Sequence, residues 1–242
     1  MTGCAESTDS TVTRGCILPY DQRGTLSGKW RNTPVPIAFH EGDFTSSEIF
    51  SMVQAANTWN DFYAQSLGLH TIDYGSPAQP RTSNIPRPSG GSLCSGNIVQ
   101  GSSYSGSVVI YKDIIWPFPD QPSIIALTSY CRTNATPLPY FYIQIIDINY
   151  QNFFSSGRRQ PDLQTIVLHE LGHMLGLNHT CNATASTGVP SCSDSQLNPL
   201  YIRALMYPNF TFDRTNIGEQ KRSLNENDQG RANCLYTNFG NE

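Results

Sequence analysis

The residues with the most chemistry in them fall in one run: His169-Glu170-Leu171-Gly172-His173-Met174-Leu175-Gly176-Leu177-Asn178-His179. On a helix, side chains four apart stand on the same face, so His169 and His173 can offer nitrogens to one metal ion at about 2.0–2.1 Å. Two ligands do not close a tetrahedron. The chain must leave the helix and turn back to bring a third, and Gly176 tolerates the backbone conformation that such a turn requires before His179. Three protein ligands leave one position to water, the pattern of a catalytic rather than a structural zinc site. Glu170, next to the first ligand, can then face that water as its proton acceptor. A bare HExxH would leave open an exposed helix with two unrelated histidines. The added glycine and third histidine, and the apolar Ile166, Val167, Leu168, Leu171 and Leu175 around them, argue for a buried, metal-bearing helix. His40 and His70 have no such spacing and read as surface or locally bonded residues.

The elements that must position this run can be read from periodicity and caps. The metal-bearing helix is expected from about 161 to 175, with Pro161 in its first turn and Gly176 ending it. A first strand is expected at 35–39, where Val35, Ile37 and Phe39 alternate. A helix at about 46–66 should follow, opened by a Thr45/Glu48 capping box. Further strands are expected near 69–73, 107–111, 123–129 and 140–149. A long Pro/Gly/Ser-rich loop should fill 75–106, and a last helix 224–236, capped by Ser223 and Glu226. Residues 1–24 read as a tail, either a tether or a wrapping arm.

The motif resembles the metzincins and, within them, the matrixins: His169, Glu170, His173, Gly176 and His179, then Thr180, then Ala204-Leu205-Met206-Tyr207-Pro208. The resemblance implies an α+β catalytic domain over 25–240. It would have a twisted, mainly parallel five-stranded sheet, two long helices, an upper subdomain (25–179) and an irregular lower one (180–240) ending in a helix. It implies one catalytic zinc, Met206 as an apolar floor beneath it with Gly176 and Tyr207 structural at the site, and a protein or peptide substrate. That substrate would lie along an exposed strand edge at Ile125, Ala126 and Leu127, with a buried internal strand as the alternative there. Pro208 and Phe210 would wall the primed-side pocket. An apolar pocket favours cleavage before Leu, Ile, Met or Phe, unless the insert from Thr180 to Ile202 brings Asp194 or Arg203 into it. Calcium is admitted by the family, but no site maps onto the scattered Asp residues. The family's second, structural zinc and its propeptide cysteine motif have no counterpart here. Two other readings stay open at this point: a metal-binding adhesion module without catalysis, and a zinc hydrolase of a non-protein substrate.

Composition narrows the partners and the compartment. Across 242 residues the net charge is −4, with 14% charged residues and no basic run, which gives no footprint for nucleic acid. No apolar stretch is long enough for a transmembrane span, and the expected state is a monomer. Seven cysteines without a CxxC read as disulfides and an extracytoplasmic, secreted or envelope-anchored protein. Cys181–Cys192 is expected as one bridge, with Cys94–Cys131 and Cys16–Cys234 as the remaining pairs. That leaves Cys4, in a Thr-Gly-Cys-Ala context, as either a lipid anchor or a free thiol.

Overall fold

The structure is a computed structural model that describes residues 16, 18–88, 93–94, 108–136, 138–155 and 157–237. Cys4, most of the N-terminal tail and part of the 75–106 loop lie outside these. The elements run β1 (Lys29–Trp30), β2 (Val35–His40), α1 (Ser46–Leu67), β3 (Ile72–Asp73), β4 (Thr82–Ser83), β5 (Val108–Asp113), β6 (Ala126–Arg132), β7 (Tyr140–Asn149), α2 (Leu163–Leu175), α3 (Pro199–Ile202) and α4 (Glu226–Tyr236). This is the expected α+β arrangement. The sheet has the order β1-β7-β5-β2-β3, with β4 beside β2 and only β6 antiparallel, against β7. It has seven strands rather than five because β1 and β4 are two-residue pairings too short to read from alternation, while the strand expected near 69–73 is present as the two-residue β3.

One face of the sheet is covered by α1 and α2. Thr45 and Glu48 form the expected capping box, and Gly68 ends α1 in the left-handed conformation. Met52, Val53, Ala56, Trp59 and Tyr63 fill the space between α1 and its neighbours and are fully buried. Trp59 also donates its indole N–H to Leu168 O at 2.9 Å, and Trp30 donates to Met174 O at 2.9 Å. Two buried indoles therefore pin the backbone of α2 at either end of the motif, each satisfying a donor that would be costly to bury unpaired.

The three expected disulfides are present: Cys16–Cys234, Cys94–Cys131 and Cys181–Cys192. They suit an oxidising compartment. No helix among the described residues is long and apolar enough to cross a membrane. The described part of the N-terminal segment wraps the body. Residues 20–25 form a 3₁₀ turn, Gln22 donates to Thr180 O at 3.0 Å, and Asn178 N–H donates to Thr25 O at 2.7 Å.

The far ends of β5 and β7 bury charge. Asp147, fully enclosed, takes both arms of Arg87 at 2.7 and 3.0 Å, while Asp113 stands 3.8 Å from the same guanidinium. Burial, and then the neighbouring Asp147, push Asp113 up to about 7. Its unfolded value is about 3.9, so folding favours the protonated carboxyl. That stabilising share is complete below about pH 4 and is lost as pH rises through 7. Asp113→Asn should flatten the pH dependence of urea stability between pH 4 and 8 and gain on the parent by about 2–4 kcal/mol at pH 8. A variant whose stability falls as steeply as the parent's across that range would refute the assignment.

Candidate metal centre and cleft

Helix α2 begins after Asp162, which accepts from Thr165 N–H at 3.0 Å, so Pro161 precedes the cap instead of occupying the first turn. The helix is buried on nearly every side and stops at Gly176, whose φ is +124°. A Cβ there would lie 2.0 Å from Gly28 O, so only glycine lets the N-terminal segment pass so close. The chain then reverses, and His179 meets the two helical histidines.

The three Nε2 atoms converge, 3.1 Å from His169 to His173, 3.2 Å from His169 to His179 and 3.1 Å from His173 to His179. His169 donates its Nδ1–H to Leu205 O at 2.8 Å and His173 its Nδ1–H to Leu177 O at 2.6 Å. Because a carbonyl can only accept, those bonds fix the tautomer and leave the Nε2 lone pairs of both rings pointing inward. Burial holds His173 down to about 4 and His179 down to about 3, and it lowers His169 well below the usual range with the two other rings adding to the effect. All three are therefore neutral near pH 7. Lone pairs this close repel unless a cation lies among them, and tetrahedral zinc–nitrogen bonds would set donors at about 3.3–3.4 Å. The residues fit zinc. Among the described residues this is the one cluster of His, Cys, Asp or Glu with such a geometry.

Beneath α2, Met206 packs against Gly172, where an added Cβ would lie 2.4 Å from the thioether sulfur. Thr180 N–H donates to Met206 O at 3.0 Å, tying the turn to the segment after the third histidine. Asp228 on α4 accepts from Leu205 N–H at 2.7 Å and Met206 N–H at 3.2 Å, and its partner Arg231 donates to Asn178 O at 2.8 Å.

The histidines and Glu170 open onto a cleft of about 670 Å³. One wall is Ile124 to Thr128 and the other is Tyr207 to Phe210 with Phe212. Strand β6 pairs with β7 alone among the described residues, so this wall is a sheet edge and not an internal strand. The strand starts at Ala126, three residues later than expected. Ile125 thus precedes it, although its carbonyl still accepts from Asn149 N–H at 2.9 Å and the residue still lines the cleft. Ala126, Leu127, Pro208, Phe210 and Tyr207 line it as well, whereas Asp194 and Arg203 do not.

Thr128 and Arg159 are lining residues that the sequence does not single out. Thr128, buried on β6, donates its hydroxyl to Glu170 Oε2 at 2.6 Å. Arg159 brings a cation into a pocket wall expected to be apolar. Burial pushes Glu170 up to about 7 even against the Thr128 hydrogen bond. Thr128→Val keeps the shape and removes the donor, so kcat should fall by about tenfold with zinc content unchanged, the value of one hydrogen bond to a charged group. Equal loss of zinc and activity would mean that Thr128 supports the fold and not Glu170.

The stretch that carries the site is similar to a metallopeptidase family. Residues 144–219 match the metallo-peptidase family M12 (Reprolysin_5), a span that takes in the three histidines, Glu170 and Met206. The matched family is not the matrixins that the downstream motif resembles. Together with the histidine cluster, the match supports a zinc protease in general terms. The chain matches none of the curated proteins. Among solved structures it is similar to high choriolytic enzyme 1, a hatching enzyme zinc-protease from the medaka Oryzias latipes. The identity is 14% and the TM-score 0.36, over 88% of this chain and 94% of that one. At that TM-score the likeness carries no weight for activity.

Proposed function

We propose that the protein is a zinc-dependent endopeptidase of metzincin type, with His169, His173 and His179 as metal ligands and Glu170 as general base. The observation that carries this reading is the convergence of three neutral imidazole nitrogens beside a buried carboxylate in an open cleft. Bound there, zinc would polarise a scissile carbonyl and bring the pKa of a water from 15.7 towards about 7. Glu170, held through Oε2 by Thr128, takes the proton of the attacking water on Oε1 and delivers it to the departing amine. The β6 edge offers unpaired backbone groups along which an extended peptide can align, while Pro208 and Phe210 flank the residue that follows the scissile bond. A purely structural site would need no carboxylate at 170, which weighs against a silent binding module. The Met206 turn and Thr180 are the residues that favour a matrixin-like variant of the family.

In this reading residues 25–240 form the catalytic unit, with 25–179 above the cleft and 180–240 below, working outside the cytoplasm. Digestion of casein by the zinc-loaded protein, its loss on chelation and its return with added zinc are the expected results. Stoichiometric zinc without digestion of any protein substrate would favour the binding module or the non-protein hydrolase.

A further inference from the structure

We infer that Arg159 makes this cleft select an acidic side chain immediately after the scissile bond. The inference deepens the endopeptidase reading and rests on it. Ile166 stands one turn before His169 on α2 and lines the same cleft as Phe210 and Phe212, so the cleft that holds the metal ligands has apolar walls. Sequence alone therefore points to a leucine-sized occupant. The structure adds a charge to that pocket. Arg159 lies four residues before α2 starts, and its guanidinium sits 5.0 Å from the Phe212 ring centroid.

The backbone on both sides of Arg159 is held. Phe154 N–H donates to Arg159 O at 3.1 Å, Gln160 N–H donates to Asn216 O at 2.9 Å, and Gly218 N–H donates to Gln160 O at 3.0 Å. The cation thus rises from a fixed base onto an aromatic face. The contact with the Phe212 ring supplies no oxygen acceptor, so the guanidinium N–H groups remain to donate to a carboxylate. Among the described residues no carboxylate pairs with it. Of the acids on the flanking segments, Asp162 pairs with Arg222 and Glu219 with Lys221 at 3.5 Å, while Asp213, next to Phe212, accepts from Thr215 and from the Ile217 amide and forms no ion pair with Arg159. The other charged group lining the cleft is Glu170, whose Oε2 is committed to Thr128. An acidic substrate side chain can lay its methylenes on the apolar wall and its carboxylate on Arg159, while a lysine there meets a like charge.

The test is a cleavage profile on a proteome-derived peptide library for the parent, Arg159→Gln and Arg159→Glu. The parent should prefer Glu or Asp over Gln at the position after the cut by about two- to fivefold in kcat/KM, as expected of a largely exposed charge pair. The preference should shrink at high salt. Arg159→Gln should abolish it and Arg159→Glu should turn it towards Lys and Arg. In parallel, calorimetric titration of Glu170→Gln with product peptides beginning in Glu, Gln or Lys reads the same pocket without turnover, and the Glu peptide should bind tightest only when Arg159 is present. Cleavage without acidic enrichment, or an Arg159→Glu profile like the parent's, overturns the inference and leaves the peptidase reading standing. If no peptide is cut, the peptidase reading fails, and equal binding of the three peptides would then overturn the charge preference as well.

Discussion

Glu170→Gln should keep about one zinc per chain and lose at least about a thousandfold in kcat/KM, within the range that a positioned general base supplies. The separation of the two readouts follows from geometry. The three Nε2 atoms close on one another without any contribution from Glu170, whose Oε2 is turned instead to Thr128 at 2.6 Å. An amide at this position can still accept the Thr128 hydroxyl, so the helix and the histidines keep their places. It cannot take a proton from water, and that is the step expected to fail. Metal analysis beside peptide-cleavage kinetics decides it. Loss of zinc in parallel with activity would mean that the carboxylate belongs to the metal site, and the role given to it here would have to be withdrawn.

The parts of this site that depend on local spacing are visible in the sequence, and those that depend on distant chain crossings are not. His169, His173, Gly176 and His179 are fixed relative to one another by one helix and one turn, so their separations in sequence carry the geometry directly. Capping shows how a local signal can mislead. Both Ser223/Glu226 and Asn225/Asp228 match the box pattern before the last helix, and the structure uses the second. Asp228 is already required by the amides of Leu205 and Met206, and that demand comes from a segment some twenty residues away. Thr128 is one hydroxyl in an edge strand, and nothing near it in sequence marks Glu170, 42 residues on, as its partner. Arg159 was passed over for a related reason. It lies before the motif in a polar loop, and only the fold of the chain after Met206 brings Phe212 beneath it.

The largest effect on stability is expected at the Asp228–Arg231 pair, which lies outside the cleft but supports two of its three histidines. Arg231 is 1% exposed and Asp228 fully enclosed, with 3.4 Å between Nη2 and Oδ1. Burial lowers Arg231 to about 10 despite Asp228 beside it, and burial raises Asp228, so each charge is tolerated because the other is present. The pair reaches the metal site along two routes. Asp228 holds the amide of Leu205, whose carbonyl accepts from His169, and Arg231 holds the carbonyl of Asn178, next to His179. Asp228→Asn leaves a buried guanidinium without a counter-charge and should cost about 3–5 kcal/mol of folding stability. Because ligand orientation loosens with it, zinc affinity should also fall by about 10–100-fold. Arg231→Met should be destabilising in the same way, with Asp228 left buried and charged. The double variant Asp228→Asn/Arg231→Met removes both charges together, so it should be more stable than the two single losses added, with a coupling of about 1–3 kcal/mol. Urea unfolding of the four proteins with and without zinc measures that cycle. Strict additivity would show that the two side chains act independently, each through its own backbone bonds, Asp228 to Leu205 and Met206 and Arg231 to Asn178, and not as a pair.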